Sequence, residues 1–495
     1  MSAVASMPLS RLLQGIAPVV RDVDVTDITL DSRQVGRGAA FLACRGARHH
    51  GLEFATEVAQ RGARAILWEP DGKVQPPSLD PGIVLAEVPQ LSLRASEVAD
   101  RFFASPSRAL DVVGVTGTNG KTTCAWLLSH ALAACGRPAA YLGTLGMAFD
   151  GELVAGEMTT PDAVTAQRRL AQLRERGARA VAMEVSSHGL AQHRVAAVHF
   201  DAAVFTNLTR DHLDFHGDMA SYAAAKASLF ERADVRLRVF NTDDDFGAEL
   251  ASRPAFAGRI ACSSRARAAA GEGPHVHARD IQWLSDGTVF QLDSSFGAAR
   301  VATRLLGEFN VDNVLAVLAV LMGSGVSPQA AAAALQSLAA PPGRLETFPR
   351  PGRATAVVDY AHTPDALDKA LAVLRRHCAG KLTVVFGCGG ERDRGKRALM
   401  GAVAARRADA IVLTDDNPRG EDGAAIIADI QSGLGGARAT VIRDRRAAIA
   451  HALAHAGEGD VVLVAGKGHE EYQIVGREVR PFSDRQVVRA LQEAA

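Results

Sequence analysis

The stretch Thr116 to Thr123, TGTNGKTT, follows an apolar run, DVVGV, and opens a helical one, CAWLLSHALAAC. In that setting the backbone N–H groups of Gly117, Thr118, Asn119, Gly120, Lys121, Thr122 and Thr123 can cradle polyphosphate, helped by the helix dipole. Lys121 has the reach for the β- and γ-phosphates, and the Thr122 hydroxyl can ligate magnesium. A solvated lysine in a glycine-rich turn is the bland alternative, and the ordered strand, loop and helix argue against it. Counted from Gly117 the spacing is GxxGKT, because Val115 stands where the generic P-loop, GxxxxGK[ST], has glycine. No NKxD element for guanine follows. These two features weigh against a GTPase or an ordinary P-loop kinase.

Other residues gain meaning only in company. Glu184 ends an apolar strand, ARAVAMEV, where a carboxylate can hold a metal near phosphates, although a lone acid at a strand end is usually just solvated. His212 and His216 in TNLTRDHLDFHG have i, i+4 spacing, but the HExxH zinc pattern is absent and no third ligand suggests itself. Lys226 in SYAAAKASLF, taken alone, is an ordinary surface-helix lysine.

The elements that must position these residues form three regions, predicted at 1–91, 92–340 and 341–495. The first alternates short strands (ITL, AAFLAC, RAILW, GIVLAEV) with a helical segment near Leu52 to Arg61, and an amphipathic helix, SLRASEVADRFF, follows Pro89. The second alternates strand, loop and helix, as a parallel sheet flanked by helices requires. AAPPGRLE then reads as a linker. Beyond it ATAVVDY, KLTVVFG, ADAIVLT and DVVLVAG predict a doubly wound, Rossmann-like sheet, whose ligands bind beyond the carboxyl ends of the strands. The expected fold is therefore α/β: a small N-terminal domain, a central P-loop-type domain and a doubly wound C-terminal domain.

Bulk composition sets outer bounds. The 495 residues exceed what one compact core accommodates. Lys plus Arg and Asp plus Glu both number 55, a balance that gives no support for broad binding to nucleic acid or an anionic membrane. The six cysteines lack any CxxC pairing, which reads as reduced thiols in a cytoplasmic protein. Pro8 and Arg11 break up any signal-peptide core, and the apolar run Val314 to Met322 is too short to span a bilayer.

Ten segments in this order resemble the Mur ligase family: TGTNGKTT, MEVSSHGLAQHRV, TNLTRDHLDFHG, the Lys226 helix, LGEFNVDN, GRLE, DYAHTPDAL, GCGGERD, DDNPR and GKGHE. In that family ATP activates a muropeptide carboxylate, which an amine then captures. The resemblance covers nearly the whole chain and implies roles for particular residues. Gly117 to Thr123 would hold ATP phosphates. Thr122, Glu184 and His212 would surround magnesium together with Lys226, carbamylated by carbon dioxide. The modification makes chemical sense, because an ammonium beside magnesium would be repelled whereas a carbamate anion can hold it. Asn310 and Asn313 would lie on the adenine side, with Arg344 and Asp359 at phosphate and ribose. Leu30 and Ser32, with the loop Ala47, Arg48 and His49, would contact the uridine nucleotide. Thr159, Thr160, Ser186, Gln192 and Arg194 would contact the muropeptide. Met158, where some relatives carry Asn, departs from the pattern.

Members of this family differ chiefly in the amino acid added. Meso-diaminopimelate is lysine with a further carboxylate, so a site selecting it needs a cation for that group and an acceptor for the ammonium. Arg392 and Arg419 suit the carboxylate, since guanidinium binds it bidentately. Asp416, Asn417, Pro418, Gly466 and Glu470 complete the expected pocket, with Glu470 taking the ammonium, while Arg394 reads as part of a solvated charge cluster. The resemblance implies a cytoplasmic, monomeric ligase that uses ATP, UDP-N-acetylmuramoyl-L-alanyl-D-glutamate and meso-diaminopimelate. The rival readings are a sister ligase taking lysine or another amine, a folylpolyglutamate synthetase, and an NTPase switch whose turnover ignores muropeptide.

Overall fold

The computed structural model describes residues 6–46, 49–265, 273–284 and 286–493. The chain divides into two compact units, one running to Ala261 and one from Cys262 onward, with Gly273 counted in the first.

In the first unit, Asp27–Thr29, Ala39–Ala43, Ala65–Trp68 and Val84–Glu87 make a four-stranded parallel sheet in that order. These are the four runs expected from the apolar pattern. The expected helix near Leu52 begins as a 3₁₀ turn, Gly51–Phe54, and continues as an α-helix, Ala55–Gln60. The amphipathic helix Leu91–Phe102 buries Leu91, Ala95, Val98, Ala99 and Phe102 in the core of this sheet, where Ala163, Val164 and Ala171 join it.

A second sheet of the same unit puts the phosphate-loop strand, Asp111–Thr116, between Ala180–Glu184 and Ala202–Phe205, all parallel. Ala139–Gly143 and Leu237–Asn241 extend it on either side. The register pairs Glu184 with Val115, so the carboxylate emerges beside the start of the loop. An antiparallel hairpin, Gly146–Phe149 and Glu152–Val154, was not foreseen and closes one edge.

In the second unit, Thr355–Asp359, Val461–Ala465, Leu382–Phe386, Ala410–Leu413 and Thr440–Val441 run parallel, with Glu346–Phe348 antiparallel at the edge. Leu367, Leu371 and Leu374, Met400 and Val403, and Ile426, Ile427 and Ile430 pack on one face. Ala448, Ile449, Val487 and Val488 pack on the other, which makes the sheet doubly wound as expected. Because Val461–Ala465, last of the parallel strands in sequence, lies between the first and second, the strand order reverses there and opens a ligand crevice. An antiparallel meander, His275–Leu284, Gly287–Ser294 and Ala299–Thr303, was not read from the sequence. The helix Glu308–Gly323 is apolar and buried from Val314 to Met322. Among the described residues no helix is long and apolar enough to cross a membrane.

Candidate functional site

The phosphate loop owes its shape to two glycines. Gly117 has φ +148°, and a Cβ there would strike the Thr206 hydroxyl. Gly120, at φ 84°, caps the helix Lys121–Ala134 in the left-handed region that side chains resist. Asn207 secures the loop, accepting from Asn119 N at 2.9 Å through its side chain and from Thr118 N at 2.8 Å through its carbonyl. The Thr206 hydroxyl donates to Asn119 O at 2.6 Å.

Two lysines meet on this loop. Lys121 Nζ donates to Gly117 O at 3.0 Å and Thr118 O at 2.9 Å, and Lys226 Nζ donates to Gly117 O at 2.8 Å. Lys226 is 1% exposed, contrary to its surface-lysine appearance in sequence, and lies 4.4 Å from the Tyr222 ring centroid. Burial, then the charge of Lys121, pulls its pKa down to about 6. A buried lysine with so low a pKa is largely the free amine at neutral pH, the form that can attack carbon dioxide.

Glu184 is the junction of the unit. Its carboxylate accepts from the Thr122 hydroxyl at 3.0 Å, Thr144 N at 2.9 Å, Thr144 Oγ1 at 3.1 Å and the Tyr141 hydroxyl. Its backbone carbonyl accepts from Thr160 Oγ1 at 2.9 Å, and that hydroxyl in turn accepts from Ser186 N at 2.9 Å. One residue thus ties the phosphate loop to the shelf expected to hold muropeptide. On that shelf Arg194 donates to Thr160 O at 2.8 Å and to Gln192 Oε1 at 2.9 Å, while Met158 Sδ lies 3.6 Å from its Nη1. Thr159 pairs with Thr144 at 3.0 Å, and Ser186 caps the short helix after it. Thr160 and Ser186 therefore spend their hydroxyls on the turn itself.

His212 sits at φ 53° with its ring centroid 4.8 Å from that of His188 and 6.2 Å from that of Tyr222, and its Nε2 is 3.5 Å from Asp211. Thr122 and Glu184 present hard oxygen donors side by side, which fits magnesium. Lys226 fits such a site only once its amine becomes an anion.

Ser32 opens a 3₁₀ turn, Ser32–Gln34, capped by Asp31, and Leu30 precedes that cap. Ala47 and Arg48 lie outside the described residues. His49 is exposed and pairs with Glu53 at 3.1 Å. Its neighbour His50 is the buried one, bonding Glu69 O at 2.8 Å and accepting from Leu52 N at 3.0 Å.

The second unit collects the remaining positions. Asn310 donates to Leu306 O at 2.8 Å and accepts from Asn313 at 3.1 Å, both nearly fully buried. Arg344 stacks 5.1 Å over the Tyr360 ring, and its Nε is buried with no hydrogen-bond partner among the described residues. Asp359 accepts from Leu345 N at 2.7 Å and Ala361 N at 2.9 Å, and burial raises its pKa.

The two arginines expected to bind carboxylate both border Gly389. A Cβ placed on Gly389 would lie 2.9 Å from Arg419 Nη1 and 3.6 Å from Arg392 Cγ. Arg419, at φ 52°, donates to Gly390 O at 2.8 Å, and its backbone is clasped by Ile474 O and Gly476 N. Ile474 belongs to an unforeseen hairpin, Tyr472–Val475 and Glu478–Pro481. The Pro418 carbonyl packs tightly on Gly390. Asn417 donates to Glu470 Oε2 at 3.1 Å. Asp416 is buried with a raised pKa, and its carboxylate fills the space a Cβ on Gly466 would need. Arg394 is exposed and 3.5 Å from Asp429, as a solvated cluster predicts. Arg397 in the same cluster is fully buried and ion-paired with Glu421 and Asp429.

Sequence reasoning missed Lys467. It is fully buried, donates to Glu470 Oε2 at 2.9 Å and Asn417 Oδ1 at 3.2 Å, and so positions both. The available signal was a lysine directly after the apolar strand DVVLVAG, where solvent is scarce.

Three family models match in succession: Mur ligase family, catalytic domain, over residues 24–104; Mur ligase middle domain over 115–321; and Mur ligase, glutamate ligase domain, over 343–468. The chain is 49% identical over 483 residues to the UDP-N-acetylmuramoyl-L-alanyl-D-glutamate–2,6-diaminopimelate ligase of Xanthomonas campestris pv. campestris (strain 8004), covering 97% of this chain and 96% of that protein. It is 46% identical over 487 residues to the ligase of the same name from Pseudomonas aeruginosa, with 98% of each covered. A solved structure of a ligase of that name superposes with a TM-score of 0.73 at 33% identity, covering 99% of each chain. By sequence, fold and three successive domain matches, the chain belongs to the Mur ligase family.

Proposed function

We propose that the chain is the ATP-dependent ligase that adds meso-diaminopimelate to UDP-N-acetylmuramoyl-L-alanyl-D-glutamate in cytoplasmic peptidoglycan precursor synthesis. The observation that carries this reading is the junction at Glu184, which joins the phosphate loop through Thr122 and the muropeptide shelf through Thr160. A carboxylate is a poor acyl donor, so ATP must supply a leaving group. The side-chain carboxylate of D-Glu attacks the γ-phosphorus, giving an acyl phosphate and ADP. The diaminopimelate amine then attacks the acyl carbon, phosphate leaves, and the amine gives up a proton.

In this reading the chain contributes alignment and charge neutralisation. Lys121 and the loop N–H groups hold phosphate oxygens, and Arg194 meets an anionic group of the muropeptide. Thr122, Glu184, His212 and carbamylated Lys226 would hold magnesium, which would supply positive charge to the reacting oxygens. Asn310, Asn313, Arg344 and Asp359 serve the nucleoside end of ATP. Leu30, Ser32 and His49 serve the uridine end of the other substrate. Arg392 and Arg419 receive the distal carboxylate of diaminopimelate, and Glu470, fixed by Lys467 and Asn417, receives its ammonium. A lysine substrate leaves the half-buried Arg419 and the exposed Arg392 without a carboxylate partner, which disfavours it. The protein works as a monomer with domains divided near residues 91 and 340. Mass spectrometry of the product tests the reading: the muropeptide should gain diaminopimelate less one water, and no such product in the presence of all three substrates would refute it.

A further inference from the structure

The meander of the second unit carries a cluster that the ligase reaction does not use. In the strand His275–Leu284, Val276 and Ala278 turn to the core, and His275 and His277 share the opposite face by the two-residue strand period. Asp293 on the neighbouring strand stands directly across from His277. One ligand atom from each of these three residues lies within 4.8 Å of the others, and His275 Nε2 is 4.0 Å from Asp293 Oδ1.

The surroundings orient two of the three donors. Ser295 Oγ engages His275 Nδ1 at 2.9 Å and accepts from His275 N at 3.0 Å, which holds the ring with Nε2 toward Asp293. Arg279 donates to Asp293 Oδ2 at 2.8 Å, which leaves Oδ1 facing the rings and keeps the carboxyl ionised. Outer contacts of this kind fix ligand rotamers in metal sites. Two imidazoles and a carboxylate suit borderline ions such as zinc, whereas magnesium prefers an all-oxygen shell. Ligand bonds of about 2 Å require the three donors to draw together by roughly 1 Å, which side-chain rotation supplies on a half-exposed surface.

We propose that His275, His277 and Asp293 form a binding site for a divalent transition-metal ion of the zinc class. Three protein ligands leave one position for water, and occupancy clasps the first two strands of the meander together. The cluster uses none of the residues assigned to magnesium.

Titration of the full chain with Co²⁺, a visible-spectrum stand-in for Zn²⁺, without ATP tests this. One equivalent should bind with new visible absorption that Zn²⁺ abolishes and excess Mg²⁺ does not. His277→Asn and Asp293→Asn should each weaken binding at least tenfold, while His212→Asn leaves the signal unchanged. Ring ¹⁵N resonances of the native chain, two of which should shift with Zn²⁺, keep the test independent of how any variant folds. Histidine resonances that ignore Zn²⁺, or Co²⁺ binding unaltered by His277→Asn and Asp293→Asn, overturn the proposal.

Discussion

Two ammonium groups on one carbonyl make the phosphate loop an uneasy arrangement at the residue scale, and Lys226 is the one burial penalises. Losing its proton and gaining a carboxylate from carbon dioxide turns that penalty into a metal ligand. Lys226→Ala should therefore lower turnover by about a hundredfold or more, the scale of losing a preorganised charge at a reacting centre. Short carboxylic acids added to the variant should restore part of it, whereas full activity without them removes Lys226 from the mechanism. Arg419 belongs to a different part of the chemistry. Arg419→Ala should raise the KM for diaminopimelate roughly ten- to a hundredfold, as loss of a charge-assisted hydrogen bond of about 1.5–3 kcal/mol implies, with ATP affinity nearly unchanged. Equal damage to both substrates contradicts its assignment. The types and spacing of these residues were legible in the sequence, and their protonation and partners were not. Lys226 and Lys467 are buried by elements distant in sequence, so neither local pattern told them from solvated lysines.

At the scale of elements, the long-range contacts hold the functional helices in place. His377, at the end of the helix Pro364–His377, uses Nδ1 to donate to Leu284 O at 2.6 Å and Nε2 to accept from Gly307 N at 3.0 Å. Gly307 caps the helix bearing Asn310 and Asn313, so one neutral imidazole ties that helix to the meander. Burial lowers the His377 pKa. The unfolded chain therefore takes up this proton first as pH falls, and stability is lost from about 6.5 downward. His377→Gln removes the titration, and its unfolding free energy should fall less steeply than that of the native chain between pH 6.5 and 5. Parallel acid slopes would show that His377 does not contribute. The parallel strands were legible because each is a short apolar run ended by turn residues. The meander and the hairpin at Tyr472 were not, because antiparallel pairing of half-polar strands depends on partners rather than on local propensity.

For the whole molecule, motif order was more informative than composition. A net charge of zero and ordinary hydrophobicity gave no support for broad polyanion binding and said little else, whereas ten ordered segments pointed to the family that three family models then matched. The residues assigned to diaminopimelate all lie in the second unit. A switch-like NTPase has no reason to make turnover depend on muropeptide, and a lysine-adding ligase has no use for arginines placed for a distal carboxylate. Phosphate release from ATP by the purified chain with UDP-N-acetylmuramoyl-L-alanyl-D-glutamate, comparing meso-diaminopimelate with L-lysine, separates these possibilities in one assay. The account predicts release that requires muropeptide and strongly prefers diaminopimelate. Preference for lysine would contradict the reading of Arg392 and Arg419, and release indifferent to muropeptide would contradict the ligase itself.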